Sequence, residues 1–386
     1  MRFTNARLIL PDAILRGTVE VQDGKITGVS TKPTKGKQRG DIDLKGGFLS
    51  PGFVDLHIHG AVRRDMMEAT EEAFREITAF HLGGGTTSLT LTTLTAPEPD
   101  ILRVLDAVKP FHNQSLGGAR IVGVHVEGPF ISKARAGAQD PAFIRPPTRR
   151  EWSRYLAYGN LVTQFTLAPE EPGALELIRA LRKRGIIASG GHTDALEPAL
   201  VLALKAGLNQ ATHTFNAMST VVRKGPYRSA GMIEFALANP EIICELIGDG
   251  VHVPATMMRM LFNAKGRDGV CLITDATAGA GLKPGTKFQL GAIKAQVTPE
   301  TAVLENNTGL AGSTLTMIEA VRRSVELAGL PLVDAVRMAS LNPARQLGRA
   351  AEFGSIEAGK RADLVWFNDR FQVQGAWLDG ELRLLR

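Results

Sequence analysis

His57 and His59 in PGFVDLHIHG, Glu127 in HVEGPF, His192 in GGHTDA and His213 in THTFNAM are residue types that bind divalent metals, and Asp275 in LITDAT adds a carboxylate able to move a proton. Imidazole and carboxylate ligands of this kind accept zinc, iron, cobalt or manganese, zinc being the first expectation. A set of such ligands with a further acid beside it points to hydrolysis by a metal-bound water. A lone buried His or Glu is more often a hydrogen-bonded structural residue than a ligand. The constellation changes that reading, because four strand-like segments each end in a ligand type followed by Gly, Asn or Asp.

Strand geometry shows how these residues could be delivered. Side chains alternate along a strand, so Val54, Leu56 and Ile58 fall on one face and Asp55, His57 and His59 on the other. In IVGVHVEGP the same alternation sets His125 and Glu127 opposite Val124 and Val126. One face of each strand packs while the other presents ligands.

The elements that must carry these segments are legible as two patterns. Residues 1–50 read as short strands and turns; TVEVQDGKITGV has an Asp-Gly between alternating runs, a hairpin signal. ADLVWFN and FQVQGAWLDGELRLL mirror it at residues 350–386, so both termini are expected to build one small β unit. Across residues 51–349 short apolar strands alternate with amphipathic helices, as in EATEEAFREITAFHLGG then TTSLTLTT, ALELIRALRKRG then IIASGGH, and ALVLALKAG then QATHTF. Repeated strand and helix units predict a parallel sheet, closed or doubly wound. Ligands at so many strand ends favour the closed barrel, whose sites gather at the C-terminal ends of its strands.

Composition sets the remaining bounds. A chain of 386 residues, 44% hydrophobic, can bury one large core and a smaller one. Cys244 and Cys271 make no disulfide framework, and neither a signal-peptide segment nor a membrane-length apolar run is present, so a cytoplasmic protein is expected. The net charge of +6 comes with basic clusters at Lys32 to Arg39, Arg149 and Arg150, and Arg182 to Arg184. These lack interleaved aromatics and read as solvated surface rather than a nucleic-acid stripe.

PGFVDLHIHG, HVEGPF, TLAPE, GGHTDA, THTFNAM, GDGVHV, LITDAT and LAGSTLTM, followed by NPARQLG and GSIEAGKRADLVWF, run in order from about residue 48 to 368. In these words the chain resembles the N-acetylglucosamine-6-phosphate deacetylase family of the amidohydrolase superfamily. The resemblance implies a (β/α)8 barrel with a small β-sandwich domain. It also implies a divalent metal on Glu127, His192 and His213, with His57 and His59 able to complete a second site, and Asp275 as the group that takes a proton from water and passes it to the leaving nitrogen. Many binuclear amidohydrolases bridge their metals with a carboxylated lysine, where this family places the Glu of HxEGPF.

The same resemblance implies that the backbone around Asn216 and Ala217, and the side chain of His252, contact a sugar phosphate. Ala138 and Leu310, Ala311 and Gly312 would line the pocket. Gln139, placed by the same resemblance among the substrate-binding residues, stands where the family often has His, and GAVRRDMM, with Arg63 and Arg64, replaces a glycine-rich stretch. A family Arg that reaches the phosphate from a neighbouring subunit would fall near Lys224, with Arg223 and Arg228 as substitutes, which implies a homodimer. The expected function is metal-dependent deacetylation of N-acetylglucosamine 6-phosphate. The rivals are the same machinery on another N-acyl amino sugar or a cyclic amide, and a basic nucleic-acid-binding barrel without catalysis.

Overall fold

The computed structural model describes residues 1–32 and 40–386. Eight parallel strands, Phe53–Ile58, Thr86–Thr92, Arg120–Glu127, Val162–Leu167, Ile187–Gly190, Gln210–Ala211, Ile243–Ile247 and Val270–Ile273, pair side by side in chain order. All but two of their residues, Thr163 and Ile243, are buried, as strands covered on both faces require. The first and eighth meet at their C-terminal ends, where Asp275 N donates to His57 O at 2.9 Å and His59 N to Ala276 O at 2.8 Å. Below them Asp55 joins the two strands through its side chain, accepting from Thr274 Oγ1 at 2.6 Å. The barrel is thereby nearly closed.

The intervening helices cover it as their periodicity predicts. Glu71–Gly83 starts at Thr70, whose hydroxyl accepts from Ala73 N, and buries Phe74 and Ile77. Ala174–Arg182 buries Leu177, Ile178 and Leu181.

Strands from both termini, Arg2–Ile9, Ile14–Gln22, Lys25–Ser30, Asp41–Asp43 and Phe48–Pro51 with Leu364–Phe367, Val373–Leu378 and Glu381–Leu385, form one hydrogen-bonded sheet. Its own core gathers Phe3, Leu8, Val19, Ile26 and Trp377. Both Asp-Gly turns take left-handed backbone, φ 49° and 75° at Asp23 and Gly24, and 50° and 72° at Asp379 and Gly380. That is the twist a two-residue hairpin needs.

Two insertions were not foreseen: a hairpin of Val222–Lys224 and Tyr227–Ser229, and a three-stranded sheet of Lys287–Leu290, Ile293–Val297 and Ala302–Leu304. Strands of three to five residues carry too little period-two signal to stand out from barrel sequence.

The charged clusters behave as surface. Arg149 and Arg150 are exposed, as are residues 182–184, and Arg149 pairs with Glu176. In the first cluster Lys32 is exposed, and residues 33–39 lie outside the described residues. Among the described residues no helix is long and apolar enough to cross a membrane. Cys244 and Cys271 are buried free thiols.

Arg120 on the third barrel strand ties the two units together. Its guanidinium donates to Asp363 Oδ2 and Asp379 Oδ2, both at 2.7 Å, with Arg120 and Asp363 buried. Removing one member of such a pair strands the other charge. Arg120→Ala should therefore destabilise the protein by about 3–5 kcal/mol in chemical denaturation; a loss below about 1 kcal/mol, the range of an exposed pair, would show that the bridge does not join the units.

Candidate active site

The ligand types found in sequence converge at the C-terminal mouth of the barrel. His57 is the penultimate residue of its strand, on the interior face, and His59 follows one residue past Ile58. Glu127 is the last residue of the third strand. His192 and His213 lie two residues beyond the fifth and sixth strands and Asp275 two beyond the eighth. These last three adopt positive φ, 48°, 30° and 49°. Left-handed backbone is uncommon for non-glycine residues and concentrates at functional sites, where the surrounding structure enforces it.

They form two groups, His57 with His59 and Asp275, and Glu127 with His192 and His213; within each, one ligand atom per residue lies within 4.8 Å of the others. Glu127 spans both: Oε1 is 3.2 Å from His213 Nε2 and 3.5 Å from His192 Nε2, and Oε2 is 3.3 Å from His59 Nε2. Asp275 Oδ1 is 3.2 Å from His59 Nε2.

Two features of this packing fit a divalent cation. Glu127 Oε1 is buried without a hydrogen-bond partner although three imidazoles surround it. Imidazoles also meet nitrogen to nitrogen, His192 with His213 at 3.1 Å and His57 with His59 at 3.2 Å. Lone pairs so opposed need a shared proton or a cation between them. Three of the rings are turned so that Nε2 faces the centre. Nδ1 of His192 sits on Arg135 O at 2.8 Å, that of His59 on Thr92 O at 3.1 Å, and that of His57 on Glu245 Oε2 at 3.2 Å. Metal-binding histidines are oriented by such contacts.

The charges hold one another in their ionised forms. Burial alone would raise the pKa of Glu127, but His57 and the adjacent rings of His192 and His213 hold it well below the usual carboxylate range. Burial likewise opposes ionisation of Asp275, and His57 and His59 outweigh it and keep its pKa low. In return, and against burial, Asp275 and Glu127 raise His59 to about 9 and His57 well above the ordinary imidazole value.

The centre opens into a cavity of about 310 Å³. His252, Asn216, Ala217, Ala138, Gln139, Leu310 and Gly312 all stand on its wall. Asp249 fixes His252, accepting from Nδ1 at 2.7 Å and from two backbone N–H groups at 2.8 Å. Gln139 is fastened to the centre itself: it donates to Glu127 Oε2 and accepts from Thr95 N, both at 2.7 Å, so its amide orients the ligand carboxylate. Ala311 packs into the small core under the three-stranded sheet. That sheet contributes Leu290 and Leu304 to the cavity, which sequence reasoning missed.

Arg223, Lys224 and Arg228 lie on the exposed hairpin and are not on the cavity wall of their own chain. Arg64 is bound to Glu68, Glu72 and Glu76, whereas Arg63 faces a separate groove with Lys287 and Lys294. Glu245, Gln164 and Gln210, which underlie the imidazoles, were also missed; a charged residue inside the apolar run ICELI was the available signal.

Known proteins place this architecture. The amidohydrolase family profile matches residues 48–383. The chain is similar to the N-acetylglucosamine-6-phosphate deacetylase of Bacillus subtilis (strain 168), with 38% identity over 361 residues, covering 92% of this chain and 89% of that one. It is 32% identical to the N-acetylgalactosamine-6-phosphate deacetylase of Escherichia coli O157:H7, covering 94% of each. The crystal structure of the N-acetylglucosamine-6-phosphate deacetylase from Pasteurella multocida superposes with a TM-score of 0.91 at 30% identity, covering 99% of this chain and 98% of that one. The chain belongs to the amidohydrolase family and is an enzyme of that metal-dependent superfamily.

Replacing Glu127 by Ala should remove bound metal, because a site with three protein ligands rarely survives losing one. Elemental analysis of the purified variant checks this, and full occupancy would refute the grouping of Glu127 with His192 and His213.

Proposed function

We propose that the protein hydrolyses the acetamide of N-acetylglucosamine 6-phosphate to glucosamine 6-phosphate and acetate. The observation that carries this reading is the convergence of both ligand groups and Asp275 on one cavity whose other wall holds His252, Asn216 and Ala217. Its volume lies at the small end of ligand pockets, roughly 300–1,000 Å³, which suits a monosaccharide. The relatives' activities support the same substrate class.

Glu127, His192 and His213 would hold a divalent cation, zinc in our reading, and His57 with His59 a second. Bound there, such a cation would polarise an amide carbonyl and lower the pKa of a water toward neutrality. Asp275, held ionised by its imidazole neighbours, accepts the proton of the attacking water and delivers it to the departing nitrogen. An amine is a poor leaving group until protonated, so this relay makes C–N cleavage possible. Asn216, Ala217 and His252 would bind the sugar phosphate, while Ala138, Leu310 and Gly312 shape the wall around the acyl group and ring. Gln139 would act on Glu127 rather than on the sugar.

We further propose a homodimer in which the hairpin of one copy supplies Arg223, Lys224 or Arg228 to the phosphate in the other. The hairpin projects from the barrel with Tyr227 78% exposed, which supports a partner surface. Buried free thiols and a phosphorylated substrate support a cytoplasmic setting.

Three experiments test the reading. Asp275→Asn should retain metal and sugar affinity while turnover falls by roughly 10²–10⁴-fold, the usual worth of general acid and base catalysis; turnover near that of the wild type would exclude the relay. Acetate release should favour N-acetylglucosamine 6-phosphate over its galactosamine epimer and over the unphosphorylated sugar. Neutralising the right hairpin residue should raise KM for the phosphorylated sugar about 10–150-fold, as loss of a charge-assisted contact implies. A wild type indifferent to phosphate, or monomeric in light scattering, would contradict that part.

A further inference from the structure

Glu245 lies on the seventh barrel strand with no exposed surface. Burying a carboxylate is unfavourable unless donors meet its oxygens, and here four do. Oε1 accepts from Gln164 Nε2 and Gln210 Nε2, both at 2.7 Å. Oε2 accepts from His57 Nδ1 and from the backbone N of His213, both at 3.2 Å.

This arrangement has a cost. Both glutamine amides turn their NH2 groups to Glu245, leaving Oε1 of Gln164 and of Gln210 buried without a hydrogen-bond partner. Orphaned buried acceptors are rare and call for a reason; an apolar layer at this level of the barrel would need neither of them. The return is visible at the mouth. His57 and His213 belong to different ligand groups, and one carboxylate oxygen holds the ring of the first and the backbone of the second.

We propose that Glu245 is a positioning residue. It fixes His57 with its proton on Nδ1 and Nε2 free for a cation, and it locks the His57–His59 group onto the group of Glu127, His192 and His213. Its charge behind the ring also strengthens Nε2 as a donor. The carboxylate reaches the reaction only through His57. This inference rests on the reading of His57 and His59 as ligands and is independent of the sugar.

The test is a zinc titration of metal-free wild type, Glu245→Gln and Glu245→Leu, counting equivalents and the affinity of each. The glutamine keeps an acceptor for Nδ1 but lacks the charge, and the leucine lacks both. The equivalent held by Glu127, His192 and His213 should keep its affinity in Glu245→Gln. The equivalent at His57 and His59 should weaken about 10–100-fold, the usual effect of removing such a supporting partner, and should vanish in Glu245→Leu. Unchanged affinity for both equivalents would overturn the proposal, as would equal weakening of both, the signature of a merely structural role.

Should neither variant fold, the wild type still decides. In imidazole ¹⁵N spectra of the metal-free protein, with His57→Ala locating the signal, Nδ1 of His57 should be protonated, whether Nε2 carries a second proton or not; a ring protonated on Nε2 alone overturns the assignment. No sugar enters these measurements, so failure of the proposed substrate leaves them standing. His57→Ala with a full complement of metal would instead remove the reading beneath.

Discussion

Four imidazoles and two carboxylates, none more than 8% exposed, face one another where the barrel opens. Taken out of water, like partners repel and unlike partners lose hydration, so the cluster is stable only if protons or a cation lie between its members. The surrounding structure answers that demand. Arg135 O, Thr92 O and Glu245 turn three rings inward, Gln139 steadies Glu127, and Asp55 with Thr274 draws the first and eighth strands together beneath the site. Each contact fixes a direction, and a metal centre is a set of directions.

The barrel is suited to this because its strands are covered on both faces, which leaves their C-terminal ends free to diverge into loops. Backbone conformation then aims the side chains. His57 and Glu127 are placed by ordinary strand alternation, whereas His192, His213 and Asp275 sit on left-handed backbone just beyond their strands. Strain of that kind persists only in a rigid scaffold. The tie from Arg120 to Asp363 and Asp379 helps to supply rigidity at the opposite end of the third strand.

These origins explain what could be read from sequence. Alternation in VDLHIH and VHVE assigns His57, His59 and Glu127 to an interior face, and both Asp-Gly hairpins announce the sheet built from the termini. His192, His213 and Asp275 were legible as residue types in the segments GGHTDA, THTFNAM and LITDAT, but their turns follow from tertiary packing. Gln139 is legible as a pocket residue, but its loop position gives no hint that the amide also folds back onto Glu127. Glu245, Gln164 and Gln210 are scattered over three strands, and only closure of the sheet brings them under His57. The hairpin at 222–229 and the three-stranded sheet at 287–304 escaped because their strands are too short for a periodic signal.

The central claim is that the buried polar cluster is a metal centre. Anomalous X-ray diffraction from crystals of the zinc-loaded protein, measured on both sides of the zinc edge, tests it most directly. The account predicts a peak about 2.0–2.2 Å from Glu127 Oε1 and from Nε2 of His192 and His213, the distances of zinc to carboxylate and imidazole ligands. An empty position there, with zinc bound elsewhere or not at all, would contradict it.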